Sequence, residues 1–503
     1  MKRYPIYLLA AGLLLLCFGC FSPWKGAEDE AAFTINLDGG SGRMAYPPAP
    51  IGANYPNLAD LKFVIQFTSV QGGQGKTFVK DGLFVPVITD KIIRGVYNVN
   101  LEIFLLDSPD EHYASGSLVS GPVTLSEGNT VINIEVKEVW KQGDGTPGNP
   151  FKVYDVPSLK KVGTGTPGDW GLSDHYKMIR NIDMTGVTGF TPIGTNPVGN
   201  QFIGNFNGNG KTINLGNSVV GRNGNYSGLF GYIGSGGEVK NLSLVGSITV
   251  SGIWTGAVAG CNEGIIENIF ASVTFLSVSS ISGSVRAGGI VGSNTNGTIK
   301  NGALFVDITA QSINNSAYVG GIAGQLGGGS IENCYSIGSC TAKGIAGYDS
   351  CAGGIVGHCG SGGGVVTNCW AGGVLTADTG STRYVGGIIG YNFSYATITN
   401  SVALHSAITS AGGHAGRITG GNPYGNNNYA ISSMIVNGAL AVGGLATNEN
   451  GEYLTVTSPN GGYNNPSFWQ NTMGFSSVYW EFRNGPPILK NMPGNYPQNP
   501  VVP

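Results

Sequence analysis

Gly288-Gly-Ile-Val-Gly292 is followed by Ile299-Lys-Asn301, and the same two strings return as Gly320-Gly-Ile-Ala-Gly324 with Ile331-Glu-Asn333, Gly353-Gly-Ile-Val-Gly357 with Val366-Thr-Asn368, and Gly386-Gly-Ile-Ile-Gly390 with Ile398-Thr-Asn400. Two looser copies precede them, Gly228-Leu-Phe-Gly231 with Val239-Lys-Asn241 and Gly256-Ala-Val-Ala-Gly260 with Ile266-Glu-Asn268, and a decayed one follows at Gly416-Arg-Ile-Thr-Gly420. The closing glycines of the first six copies fall at 231, 260, 292, 324, 357 and 390, in steps of 29, 32, 32, 33 and 33. A near-constant step of this size marks a repeat architecture. One unit, with a few short strands, buries too little apolar area to offset the ordering of about thirty residues. Stacked as coils, equivalent strands pair in parallel about 4.8 Å apart and the Ile/Val positions merge into one continuous core. The expectation is a parallel β-helix, with glycines at corners where positive φ or close backbone approach excludes a Cβ.

The position before each Asn tests the stacking. It reads Lys240, Glu267, Lys300, Glu332, Thr367, Thr399, so coils in register set opposite charges side by side, which an offset stack would not do. The Asn itself has two readings: an amide ladder from coil to coil, or an isolated turn residue.

Outward from the repeat, residues 31–140 alternate apolar and polar in short runs, among them Leu61-Lys-Phe-Val-Ile-Gln-Phe67 and Val96-Tyr-Asn-Val-Asn-Leu-Glu-Ile-Phe104. Period-two alternation at this spacing predicts an immunoglobulin-like β-sandwich, most simply a spacer. Residues 141–150 are a linker by composition. Gly72-Gly-Gln-Gly-Lys-Thr77 lacks the first glycine of a phosphate loop, because position 70 is Val, and reads as a hairpin tip. Gly163-x-Gly-x-x-Gly168 matches a dinucleotide fingerprint, but Pro167 and Asp169-Trp170 open no helix.

Residues 1–20 read as an export signal, with Lys2 and Arg3 ahead of the apolar stretch Ile6 to Phe18 and a Gly19–Cys20 end. That end resembles the lipobox of bacterial lipoproteins, with Cys17 where the family usually has Leu; the resemblance implies acylation of Cys20 and attachment to a bilayer, with 21–30 as tether. A plain cleaved signal peptide is the alternative. Charged residues are 11% and Gly is 85 of 503, against typical values of about 25% and 7%. No apolar run is long enough to span a bilayer, and a net charge of −3 supplies no basic field for nucleic acid. The six cysteines after the signal, Cys261, Cys334, Cys340, Cys351, Cys359 and Cys369, form no CxxC pair, so neither metal nor cofactor is expected. Export permits disulfides; buried thiols are the other reading.

The Gly-Gly-Ile-Val-Gly…Ile-x-Asn-Cys-Tyr pattern at 320–335 and 353–370 resembles the GLUG motif of bacterial surface proteins. Phe202-Ile-Gly-Asn-Phe-Asn-Gly-Asn-Gly-Lys-Thr-Ile213 is similar to the segment that leads into such repeats, with Asn207 where relatives carry Asp. Phe468-Trp469, Gly474-Phe475, Trp480 and Pro486-Pro-Ile-Leu489 look like the segment that closes them. The resemblance implies a β-helical, extracytoplasmic scaffold over 151–450, with 451–503 a capping segment and tail, in a lipid-anchored protein of the bacterial cell envelope. Some relatives attach zinc peptidases, but the chain has no His-Glu-x-x-His.

Two functional classes compete. A polysaccharide lyase or hydrolase needs acid and base groups in one cleft, and the best group on offer is Asp307, Lys343, Asp349, Asp378 and Arg383; solvated loop charges explain it better. The non-catalytic reading is a scaffold or adhesin binding glycan or protein. The position two before each Gly pair reads Trp254, Arg286, Tyr318, Cys351, Tyr384, His414. Exposed, Trp254, Arg286, Tyr318, Tyr384 and His414 would form a stripe on which sugar rings or a peptide stack; under strict alternation the same column would point into the core.

Overall fold

The structure, a computed structural model, describes residues 30–36, 61–72, 75–83, 87–106, 108–138, 142–196, 199–220, 222–223, 225–280, 283–440, 450–455 and 459–502; the export signal, Cys20 and nearly all of the tether lie outside them. The chain divides into two compact units, Met1–Lys141 and Gln142–Pro503. Both are β structures, and the only α-helix among the described residues is the single turn Val156–Lys161, started by an Asp155 carboxylate that accepts from the Ser158 amide at 2.8 Å.

In the first unit, strands Leu61–Ser69, Lys76–Asp81, Gly95–Leu105 and Ser108–Leu118 pair antiparallel. The last strand, Asn129–Glu138, joins Ser108–Leu118 through its second half and runs parallel to Glu30–Asn36 through its first. Alternation buries Phe63, Ile65 and Phe67 on one side, and Phe33 closes against Phe67 and Phe78 at ring distances of 4.7 and 5.3 Å. Gly72 and Gly75 lie in the connection between the paired strands Leu61–Ser69 and Lys76–Asp81, so the phosphate-loop lookalike is a hairpin tip.

The second unit is a β-solenoid in which each copy supplies one strand to each of three parallel sheets. The first short sheet stacks Tyr226–Ser227, Trp254–Gly256, Val285–Gly288, Ala317–Gly320, Asp349–Gly353, Thr382–Gly386 and His414–Gly416. The second short sheet stacks Phe230–Ile233, Ala259–Asn262, Val291–Asn294, Ala323–Leu326, Val356–Cys359 and Ile389–Asn392. The long sheet contains Glu238–Ser251, Ile265–Ser280, Thr298–Ser312 and Ser330–Lys343, after which each coil breaks into two strands, Val365–Thr367 with Trp370–Thr379 and Thr397–Thr399 with Val402–Ser410. Between the short sheets, Ile290, Ile322, Ile355, Ile388 and Ile418 point inward, opposite Ile266, Ile299, Ile331, Val366 and Ile398 of the long sheet, and all are buried in one core.

Register is as the charge column requires: Lys240 pairs with Glu267, Glu267 with Lys300, Lys300 with Glu332, Glu332 with Thr367 and Thr367 with Thr399. Only one ion pair crosses between these neighbours, Lys300 to Glu267 at 3.2 Å; Lys240 instead meets Glu238 of its own strand at 2.9 Å. Partly solvated pairs of this kind contribute little. Both readings of the Asn hold together. Asn241, Asn268, Asn301, Asn333, Asn368 and Asn400 all take left-handed φ of 50–56°, which Asn tolerates better than other residues with a Cβ. Their amides then bond along the axis, Asn268 to Asn241 at 2.8 Å and Asn400 to Asn368 at 3.2 Å.

The closing glycines are needed for close approach rather than positive φ. A Cβ on Gly357 would lie 2.6 Å from the Val319 nitrogen of the preceding coil, and one on Gly292 would strike the Thr255 nitrogen. The six cysteines are buried free thiols.

Residues 459–502 do more than close the last coil. Thr472 receives the Asn427 amide at 2.9 Å, Pro487 receives the Trp370 indole at 3.1 Å, Gln498 receives the Tyr335 hydroxyl at 2.8 Å, and the Gly494 amide reaches Gly210 at 3.0 Å. Tyr496 stacks on Phe270 at 5.2 Å and Trp480 packs beside Tyr335. The segment therefore lies along the outer side of the long sheet, over a column of aromatic residues that would otherwise face water.

Candidate functional site

The column two before each Gly pair is continuous. Tyr226, Trp254, Arg286, Tyr318, Cys351, Tyr384 and His414 are successive register partners on the first short sheet. The Gly pair breaks strict alternation: Ala287 enters the core while Arg286 lies on the other side of the strand, and of the seven only Cys351 is fully buried. His414 is exposed, Cys351 is buried, and the others are half-buried. The column is outside the core, but its rings cover one another rather than standing free.

The cover is a second column that sequence reasoning missed. The residue after each closing glycine, Tyr232, Cys261, Ser293, Gln325, His358 and Tyr391, is likewise in register on the second short sheet. Because Gly357 rests on the backbone of Val319, the flanking side chains Tyr318 and His358 come ring to ring at 4.4 Å and 14°. Tyr384 and Tyr391 stack at 3.9 Å and 7°, His414 stacks on Tyr384 at 5.0 Å, and Tyr226 meets both Tyr232 and Trp254 edge to face. The result is a seam of aromatic and polar groups along the outer corner of the two short sheets. At its far end Phe393, Tyr395 and Tyr424 are exposed by 55, 58 and 56%. The signal for the second column was an offset of seven from the first in five of the six pairs (254 to 261, 384 to 391; Tyr226 and Tyr232 are six apart), diluted by the chemically unlike Cys261, Ser293 and Gln325.

Partial burial sets the electrostatics. The Arg286 guanidinium lies over the Trp254 ring at 4.9 Å, and burial lowers its pKa. Burial holds His358 neutral, its pKa brought down to about 4, with the charge of Arg286 adding to the effect. Burial pushes the Tyr384 phenol up to about 12 and raises that of Tyr318. Near pH 7 this part of the seam therefore carries the neutral phenols of Tyr318 and Tyr384, neutral His358 and the positive charge of Arg286.

Of the five ionisable groups considered for catalysis, Lys343 and Asp378 form an ion pair and Asp349 and Arg383 lie on paired neighbouring strands. Asp307 accepts from the Ser339 amide and hydroxyl at 2.9 and 2.7 Å, Lys343 pairs with Asp378 at 3.7 Å, and Arg383 donates to the Gly380 carbonyl at 2.9 Å. Asp349 donates its backbone amide to the Ser316 hydroxyl at 3.1 Å. Among the described residues no group of three or more His, Cys, Asp and Glu side chains could hold a metal.

Comparison with known proteins agrees with the repeat. The family described as "The GLUG motif" matches residues 315–343 and 381–404. A "Putative Gly-rich membrane protein" of Evansella cellulosilytica is 38% identical over 143 residues, covering 27% of this chain and 16% of that protein. "Halomucin" of Haloquadratum walsbyi is 30% identical over 202 residues, covering 37% of this chain and 2% of that protein. The chain thus spans a minor part of the length of both curated relatives. A solved "putative immunoglobulin A1 protease from Bacteroides ovatus" aligns at a TM-score of 0.44 and 19% identity, over 70% of this chain and 96% of that one. The two matched segments fall on coils of the solenoid with the strand register described above, and the chain is a β-solenoid that carries the GLUG motif at these two places.

Proposed function

We propose that the protein is a non-catalytic scaffold of the bacterial cell envelope that presents the aromatic seam to a glycan or protein ligand. The reading rests on one observation: the outer side of the long sheet is covered by residues 459–502, whereas among the described residues of the second unit that segment makes no ring contact or hydrogen bond with the seam. Rings with apolar faces and polar edges are suited to stacking against sugars or peptide side chains. The names of the two curated relatives, a membrane protein and a halomucin, support an envelope location. In this reading Cys20 carries the acyl anchor and the first unit serves as an immunoglobulin-like stalk, a role supported by its alternating strands closed over Phe33 and Phe67.

The test is a glycan array probed with the full chain and with Tyr384→Ala/Tyr391→Ala. Loss of binding with little change in melting temperature supports the seam as a binding face; unchanged binding overturns it. Protease shaving of intact cells tests the location, since a seam presented outward is cut from the surface and a periplasmic one is spared.

A further inference from the structure

The repeat region from 228 to 420 holds six basic side chains, and five of them have partners within the protein. Lys240 meets Glu238, Lys300 meets Glu267, Lys343 meets Asp378, Arg383 donates to the Gly380 carbonyl, and the buried Arg417 reaches the Gly451 carbonyl at 3.4 Å. Arg286 differs. Its guanidinium is braced against Trp254, and its Nε, like those of Arg383 and Arg417, is buried without an acceptor. The side chain is half-buried, and among the described residues no carboxylate lies within ion-pair distance of it. The titratable groups that face it are the phenols of Tyr226 and Tyr318 and the thiol of Cys261, all raised by burial, and the imidazole of His358, lowered by burial, so that all four are uncharged near neutrality. A guanidinium held partly dry with no counter-charge is unfavourable on its own and binds a carboxylate strongly, because the desolvation has already occurred and the planar fork is already oriented.

We propose that Arg286 is the anion-binding point of the seam and that the ligand is a glycan bearing uronate carboxylates, its sugar rings packing along the half-buried edges of Trp254 and Tyr318 in the coils before and after. This inference rests on the seam being a binding face. One cation between neutral rings suits carboxylates carried on stackable sugars. A single-stranded nucleic acid would instead call for a basic groove that follows every phosphate, and the neighbouring column positions Trp254, Tyr318 and Cys351 supply no charge.

The experiment measures binding of the full chain to hyaluronan, alginate and polygalacturonate, to the carboxyl-reduced form of each, and to an oligothymidylate. It compares wild type with Arg286→Gln, Arg286→Lys and Tyr384→Ala, each checked by thermal melting. Expected is binding to at least one of the acidic polymers that weakens with added salt. Arg286→Gln should lower that affinity about tenfold, the loss of one charge-assisted contact, with Arg286→Lys between the two. The carboxyl-reduced polymer should bind more weakly and be indifferent to Arg286→Gln. If Tyr384→Ala abolishes binding while Arg286→Gln leaves it intact, the seam stands and the anion point is overturned. Binding of oligothymidylate in place of the polymers overturns the glycan assignment. Binding of none of the probes, or binding that Tyr384→Ala leaves untouched, overturns the anion point together with the seam beneath it.

Discussion

Tyr384 and Tyr391 lie 3.9 Å apart with their planes 7° from parallel, although they stand on two different sheets. The corner between them is Gly386-Gly-Ile-Ile-Gly390, so the element that defines the repeat also creates the stack. Each coil reproduces the corner and changes only the side chains on its two flanks.

That stack can be weighed directly. In a double-mutant cycle of Tyr384→Ala and Tyr391→Ala, urea denaturation should give a coupling energy of about 1 kcal/mol, the usual value of an aromatic pair beyond its area. A coupling near zero would mean that the rings are merely adjacent.

The Asn ladder predicts an order of stabilities. Asn268→Gly keeps the left-handed turn but loses the 2.8 Å bond to Asn241, at about 1 kcal/mol; Asn268→Ala also strains a backbone at φ 56° and should cost about 1–2 kcal/mol more. Asn301 has an unpartnered side-chain oxygen, so Asn301→Gly should be the mildest of the three. Equal losses for Ala and Gly at 268 would remove the conformational part of the argument.

The buried His405 and the half-buried His358 should make the protein sensitive to acid. His358 and His405 are each brought down to about 4 by burial, and His405 Nε2 is 2.9 Å from the Gly387 carbonyl. A lowered histidine pKa means that the unfolded chain takes up the proton first. Stability is thus complete above the unfolded value near 6.5 and falls as pH drops from there to about 4, by up to about 3 kcal/mol per histidine. Denaturation at pH 7.0, 6.0, 5.0 and 4.5 checks this, and His358→Gln should flatten part of the slope.

Glycines should separate by what a Cβ would meet. Gly357→Ala forces an atom to 2.6 Å from the Val319 nitrogen and 2.7 Å from the Gly324 oxygen, whereas Gly148 has open space and an ordinary φ. Gly357→Ala should lower the melting temperature sharply, by the equivalent of about 3 kcal/mol or more in overpacking, while Gly148→Ala should be neutral or slightly stabilising.

Much of the solenoid was legible because its signals are periodic. The Gly-Gly-Ile-Val-Gly spacing located the corners, the Ile-x-Asn strings gave the register, and the Lys240-to-Thr399 column lined up residue for residue. Half of the seam was legible for the same reason. Its other wall was not, since Cys261, Ser293, Gln325 and His358 share a position without sharing a chemistry. The glycines were assigned to corners, but the close approach at Gly357 and Gly292 depends on how one coil leans on the next, which no local string encodes. Nor could Trp469 and Trp480 announce that their partners would be Trp370 and Tyr335, 99 and 145 positions earlier, because nothing in an apolar cluster specifies which distant surface it will meet.

The lateral seat of residues 468–498 sets a timetable. Synthesis runs from the amino terminus, so the coils bearing Phe270, Tyr335 and Trp370 are made well before Tyr496, Gln498 and Trp480 arrive to shield them. Until then a greasy flank stands bare on a half-finished rod, and whatever chaperones the nascent chain must guard that side in particular.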